Sequence, residues 1–171
     1  MTIRWGILGC GDVARRRVAT AIQQNAASTL EAVCRRDQEK LHSFRDDFNV
    51  PRGYTDAEQL LADPEIDALY IATPVYLHQQ QAVTAAYQGK HVLVEKPMAM
   101  SVAECDTMIE ACAQNNVKLG VAYYRRFYPV IERIAEVINS GEIGQPLSVT
   151  AVTATAFNFS PGDDGYWRVL M

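Results

Sequence analysis

The turn Gly9-Cys10-Gly11-Asp12-Val13-Ala14, directly after the apolar run Ile3 to Leu8, constrains this fold more than any other stretch. A short buried strand that ends in glycines and opens a helix is the repeating unit of a parallel α/β sheet. Gly9 permits the tight turn, and Gly11 lets the backbone approach a pyrophosphate. Ala14 takes the third small position, where helix packs on strand. The helix start, Asp12-Val13-Ala14, supplies N–H groups and a partial positive charge suited to phosphate. Glycines mark any tight turn, so it is this setting between strand and helix that makes dinucleotide binding the expectation.

The rest of the chain repeats that unit. The first helix runs from Asp12 to Gln24, with Val13, Ala14, Val18, Ala21 and Ile22 at helical spacing. Leu30 to Cys34 reads as a second strand. Asp37 caps a helix whose apolar face is Leu41, Phe44 and Phe48. Tyr54-Thr55-Asp56 leads into a short helix from Ala57 to Ala62, and Asp67 to Ala72 is a strongly apolar strand. A helix from His78 to Gln88 closes at Gly89, followed by a strand from His91 to Val94. Ser101 caps a helix reaching Asn115, and Lys118 to Ala122 is another strand. These β-α repeats predict a doubly wound parallel Rossmann sheet over residues 1–122.

After Ala122 the character changes. Tyr123 to Tyr128 is aromatic and basic, and Pro129 precedes a helix from Val130 to Asn139. Leu147 to Phe157, rich in Val, Thr and Ala, reads as the first strand of a second α+β domain. Residues 123–171 are thus expected to form a junction and the start of a substrate or dimerisation domain.

Composition limits the partners. Hydrophobic residues make up 49% and charged residues 21% of the 171, an ordinary globular balance. A net charge of −4 offers nucleic acid or an anionic membrane no electrostatic footprint, so any bound anion is held locally. No apolar stretch approaches the roughly 20 residues that span a bilayer. The N-terminus lacks a signal peptide's pattern, and Cys10, Cys34, Cys105 and Cys112 form no Cys-x-x-Cys pair. The expectation is a cytoplasmic protein with reduced thiols and no metal site.

Cofactor choice lies at the end of the second strand. An acidic residue about 20 positions past the glycines accepts hydrogen bonds from the ribose hydroxyls of NAD. This chain has Cys34-Arg35-Arg36 there, with Asp37 assigned to capping. Arginine pairs bidentately with phosphate, so Arg35 and Arg36 predict NADP(H), with NAD as the lesser option. The bland reading is two solvated arginines on a loop. Arg15-Arg16-Arg17 reads as a solvated helix face.

Thr73-Pro74 and His78 follow the strand that ends near Ala72, and Glu95-Lys96-Pro97 follows the next one. The carboxyl edge of the sheet is where open α/β folds bind ligands. His78 alone reads as a helix-start residue, and a proline after a charged pair can hold a cis bond.

These motifs, with Gly89-Lys90-His91-Val92 between them, occur in the order and spacing of the Gfo/Idh/MocA oxidoreductases, whose N-terminal half this chain resembles. Tyr124-Arg125-Arg126-Phe127-Tyr128-Pro129 is similar to that family's Arg-Phe-x-Pro segment, so the resemblance covers essentially the whole chain. It implies hydride transfer between a nicotinamide and a hydroxyl-bearing carbon, usually of a sugar or polyol. It implies Lys96 as the catalytic residue beside the nicotinamide and the reacting oxygen, with Glu95 positioning Lys96 or contacting ribose. Thr73, Pro74, His78 and Pro97 would lie along the cofactor, and Tyr124 and Arg126 on the substrate side. An ammonium at Lys96 would stabilise developing alkoxide charge and could relay a proton.

Members of that family usually exceed 300 residues, and their second domain supplies an Asp and a His that complete the proton relay. Tyr166-Trp167-Arg168 resembles the segment just before those residues. A truncated chain is therefore expected, binding cofactor with little or no turnover, and a homo-oligomer is possible. Two other readings compete. A non-catalytic dinucleotide sensor would suit the missing half but not the retained Lys96. An aldehyde-type enzyme needs a nucleophilic cysteine, and Cys10 and Cys34 fall at the phosphate and adenosine positions.

Overall fold

A computed structural model of the chain describes residues 2–152 and 154. The first unit, residues 1–124, is built on a parallel six-stranded sheet; a second compact unit comprises residues 125–171. The strands are β1 Ile3–Leu8, β2 Ser28–Cys34, β3 Arg52–Tyr54, β4 Ala68–Ile71, β5 His91–Val94 and β6 Leu119–Val121. Their spatial order is β3-β2-β1-β4-β5-β6, with every pairing parallel. From β1 the chain winds outward to β3, then returns to the other side of β1 with β4. That reversal leaves a crevice between the carboxyl ends of β1 and β4, the usual ligand position in such sheets.

Helices α1 Ala19–Gln24, α2 Gln38–Phe48, α3 Ala57–Leu61, α4 His78–Tyr87 and α5 Val102–Gln114 connect the strands. Strand β4 is buried at all four positions, as a strand covered on both faces must be. One core cluster gathers Leu8, Ile71, Val94 and Met108, and the other Ile7, Val33, Phe44 and Tyr70. Caps fix the helix starts. The carboxylates of Asp37 and Asp56 accept the N–H groups of Lys40 and Glu58, and the Ser101 hydroxyl accepts that of Glu104. Gly89, at φ +71°, turns the chain after α4.

Four expectations need correction. The segment before Thr55 is an edge strand, β3; its three residues, Arg-Gly-Tyr, carry too little pattern to be read from sequence. The helix expected from Asp12 opens with a π segment, Ala14–Val18, in which the Ala19 N–H donates to the Ala14 carbonyl five residues back. A single wide turn leaves no trace in a period near 3.6. The three arginines are not simply a solvated face. Arg15 stands over Phe44 and Phe48 at 5.3 and 5.9 Å and pairs with Asp47, while Arg17 stands 4.9 Å over Tyr124. A guanidinium gains from the negative face of a ring, which charge patterning alone does not reveal. Last, residues 147–152 are irregular rather than a strand, with Leu147, Val149 and Val152 each more than four-fifths exposed. A β-prone run without a neighbouring strand has no ladder to join. The rest of that expected strand, and Tyr166-Trp167-Arg168, lie outside the described residues.

In the second unit, helix α6 Pro129–Ser140 starts on a proline at its first turn and stops at Gly141, φ +78°. Val130, Ile131, Ile134 and Ile138 are exposed on it. Among the described residues, no helix is long and apolar enough to cross a membrane.

Candidate functional site

A cleft of about 730 Å³ opens at the carboxyl edge around β1, β2 and β4. That volume lies within the range of small-molecule and cofactor sites, about 300–1,000 Å³. Gly9, Gly11, Arg35, Arg36, Thr73 and Pro74, all expected at a cofactor, line it. The two glycines do different work. Gly9 sits at φ +86°, and a Cβ there would stand 2.6 Å from the Ala72 carbonyl oxygen. A Cβ on Gly11 would meet nothing within 4 Å, so its bare backbone faces open space in the cleft. That opening, with the helix start beside it, fits a pyrophosphate. Ala14 is fully buried behind the turn, Val13 is partly exposed, and Asp12 pairs with Arg16 at 2.6 Å.

The turn is tied to β2. Gly9 and Cys10 donate their N–H groups to the Cys34 carbonyl, and Arg35 Nη1 donates to the Cys10 carbonyl at 2.7 Å. Arg36 is exposed at the same rim. Asp37 is engaged as a cap, and the Lys40 N–H holds its carboxyl below the usual aspartate range. Burial pushes the Cys10 and Cys34 thiols up to about 11 and about 12, which removes the thiolate that a nucleophile needs.

The residues expected along the nicotinamide follow β4 and β5. Register pairs Ile71 with Val94, so the loops after these strands emerge side by side. His78 is 1% exposed and joins them: Nε2 faces the Thr73 carbonyl at 2.9 Å, and Nδ1 faces those of Pro97 and Met98 at 3.1 and 3.3 Å. Its ring is engaged inside the wall rather than lining the cleft. The Lys96-Pro97 bond is cis. Glu95 is buried, its Oε2 accepting the Lys96 N–H at 3.1 Å and standing 3.8 Å from Lys96 Nζ. The Lys96 side chain is half exposed, free to meet a ligand.

Sequence reasoning missed several participants. Gln81 accepts the Thr73 hydroxyl at 2.6 Å, and Gln80 and Asp56 also line the cleft. Tyr70 donates its hydroxyl to Glu95 Oε1 at 2.6 Å. A tyrosine inside an otherwise aliphatic buried strand was the available signal, because a buried phenol needs a partner. Tyr124 belongs to the first unit, beneath the Arg17 guanidinium. Arg126 belongs to the second, where it stands 5.7 Å over Phe127. Among the described residues, no group of three His, Cys, Asp or Glu side chains could hold a metal ion.

The family model described as "Oxidoreductase family, NAD-binding Rossmann fold" (Gfo/Idh/MocA) matches residues 3–123. Oxidoreductase P35 of Formosa agariphila is 42% identical over 146 residues, covering 85% of this chain and 46% of that protein. D-xylose 1-dehydrogenase (NADP(+)) 2 of Haloferax volcanii is 36% identical, covering 86% of this chain and 45% of its own. The crystal structure of the WlbA dehydrogenase from Bordetella pertussis, in complex with NADH and UDP-GlcNAcA, superposes with a TM-score of 0.79. It is 31% identical, with 84% of this chain and 44% of that one covered. The chain thus spans about half the length of the relatives it matches.

Proposed function

This chain belongs to the Gfo/Idh/MocA oxidoreductase family, and from that premise we propose that the whole protein is an NADP(H)-dependent oxidoreductase acting on a hydroxyl-bearing carbon of a sugar, polyol or similar small molecule. The observation that carries the reading is the half-exposed Lys96 ammonium, at the same sheet edge as the glycine cleft and beside the buried Glu95 carboxylate.

A bound nicotinamide supplies the hydride acceptor or donor. The chain's own residues do the rest. Gly9 and Gly11 admit the pyrophosphate, and the helix start neutralises it. Thr73 and Pro74 border the cofactor's path, and His78 braces that loop against Pro97 and Met98. The Lys96 ammonium stabilises alkoxide charge and donates a proton to that oxygen in the reducing direction, and in the oxidising direction the amine form takes the hydroxyl proton. Tyr124 and Arg126 are carried over by resemblance to the substrate side.

Preference for NADP(H) rests on the rim after β2, which offers two guanidiniums and an aspartate already engaged as a cap. Arg35 keeps further N–H donors while Nη1 holds the Cys10 carbonyl, and exposed Arg36 is the freer reader of a 2′-phosphate. Fluorescence titration with NADPH and NADH tests the reading. NADPH is expected to bind more tightly, and Arg36→Ala to weaken it about tenfold or more while leaving NADH unchanged. Tighter binding of NADH by the unaltered protein sinks the preference. Lys96→Ala in the whole protein separates an enzyme from a dinucleotide sensor, since undiminished turnover removes Lys96 from the chemistry.

A further inference from the structure

The buried contact between Tyr70 and Glu95 reaches the reacting edge from inside the core. Register pairs Tyr70 of β4 with Leu93 of β5, and alternation places Glu95, two residues on, on the same face as Leu93. The Glu95 N–H donates to the Ile71 carbonyl at 2.8 Å, which continues the ladder past the end of β5 and fixes the Glu95 backbone. The phenol ring lies along the sheet face within the core, 5% exposed, and its hydroxyl ends 2.6 Å from Glu95 Oε1. The other oxygen, Oε2, is left for Lys96, taking its N–H at 3.1 Å and facing Nζ at 3.8 Å. Each carboxylate oxygen therefore has one assigned neighbour.

From this division of the carboxylate we infer that Tyr70 is a positioning residue for Lys96, locking Glu95 so that Oε2 stays turned toward the ammonium. This role rests on the reading of Lys96 as the residue beside the reacting oxygen. Without the hydroxyl, Oε1 is a buried acceptor lacking a partner, and rotation of the carboxylate toward water becomes its relief. Burial and the adjoining carboxylate push the Tyr70 phenol far above the ordinary tyrosine range. Burial thus favours the protonated phenol, the form that donates to Glu95 Oε1. The titratable groups at this network are Tyr70, Glu95, Lys96 and Tyr124, the last close enough to act on Tyr70 electrostatically.

The test reads Lys96 directly, with neither cofactor nor substrate present. The intact chain is labelled with 13C,15N-lysine, Lys96→Arg assigns the resonance, and the Lys96 Cε and Nζ chemical shifts are followed by NMR at fixed pH. Glu95→Gln is expected to move these shifts, as loss of a close opposite charge changes the field at the ammonium. Tyr70→Phe, which removes only the hydroxyl, is expected to move them in the same direction by a smaller amount. Lys96 shifts in Tyr70→Phe equal to those of the unaltered protein overturn the inference, as do Glu95→Gln shifts that do not move. Should Tyr70→Phe fail to fold, the unaltered protein answers instead. A slowly exchanging Tyr70 hydroxyl proton, lost in Glu95→Gln, supports the contact, and its absence overturns it. NADPH titration of the unaltered chain keeps the two readings apart, because failure to bind cofactor defeats the proposed function while leaving the Lys96 chemical shifts to stand or fall alone.

Discussion

Gly9 and Gly11 are separated by a single residue and constrained by opposite things. At Gly9 the constraint is internal: a positive φ and a carbonyl 2.6 Å from any added Cβ. Gly9→Ala therefore strains the fold itself and is expected to cost about 1–3 kcal/mol of stability, read from the urea midpoint. At Gly11 the protein leaves the space open. Gly11→Ala is expected to change stability by less than about 0.5 kcal/mol, as exposed substitutions do. It is nevertheless expected to weaken NADPH binding, because the methyl would occupy the approach proposed for the pyrophosphate. Equal effects of the two changes on stability would mean that the turn is not divided in this way. The spacing of the glycines made both legible in the sequence, since backbone freedom is a local property. The partner of Tyr70 was not legible, because it is a carboxylate 25 residues away that only the pairing of β4 with β5 brings to it.

Among the elements, those read well from sequence are the ones whose pattern is made by burial. Strands β1, β4 and β5 are short apolar runs bounded by turn residues, and α2 and α5 carry caps at Asp37 and Ser101. Strand β3 depends on its neighbour β2, and the π segment is a single wide turn within a helical run, so local pattern is silent about both. Docking of β1 on β4 has an electrostatic part as well. The Asp67 carboxylate accepts from the Arg4 backbone N–H at 2.9 Å and from Nε and Nη2 at 3.0 and 2.7 Å. These contacts hold its pKa below the ordinary aspartate value of about 3.9. A depressed folded-state pKa adds stability that is complete above the unfolded value and is lost as pH falls through the folded one. Asp67→Asn is thus expected to lower the urea midpoint at pH 7, and the gap from the unaltered protein is expected to close as pH drops below about 4. A gap that stays constant from pH 7 down to pH 3 would remove the ion pair from the account.

On the scale of the whole molecule, the glycine cleft, Lys96 and the core lie in the same unit. Every residue lining the glycine cleft falls between Leu8 and Gln81, and Tyr70, Glu95 and Lys96 all lie within the first unit. Both main core clusters draw on residues no later than Ala122. In the second unit, by contrast, α6 has no buried residue, and its valine and isoleucines are exposed. A helix that buries nothing contributes little hydrophobic stabilisation, since that term scales with the apolar area removed from water. Residues 1–124 expressed alone are accordingly expected to fold cooperatively. They should bind NADPH within about threefold of the 171-residue chain, a difference of under about 1 kcal/mol. Removing the exposed apolar stripe is also expected to reduce self-association in sedimentation experiments. Loss of NADPH binding on removal of residues 125–171, with the remaining unit still folded, would show that the cofactor site draws on the second unit and is not complete within the sheet.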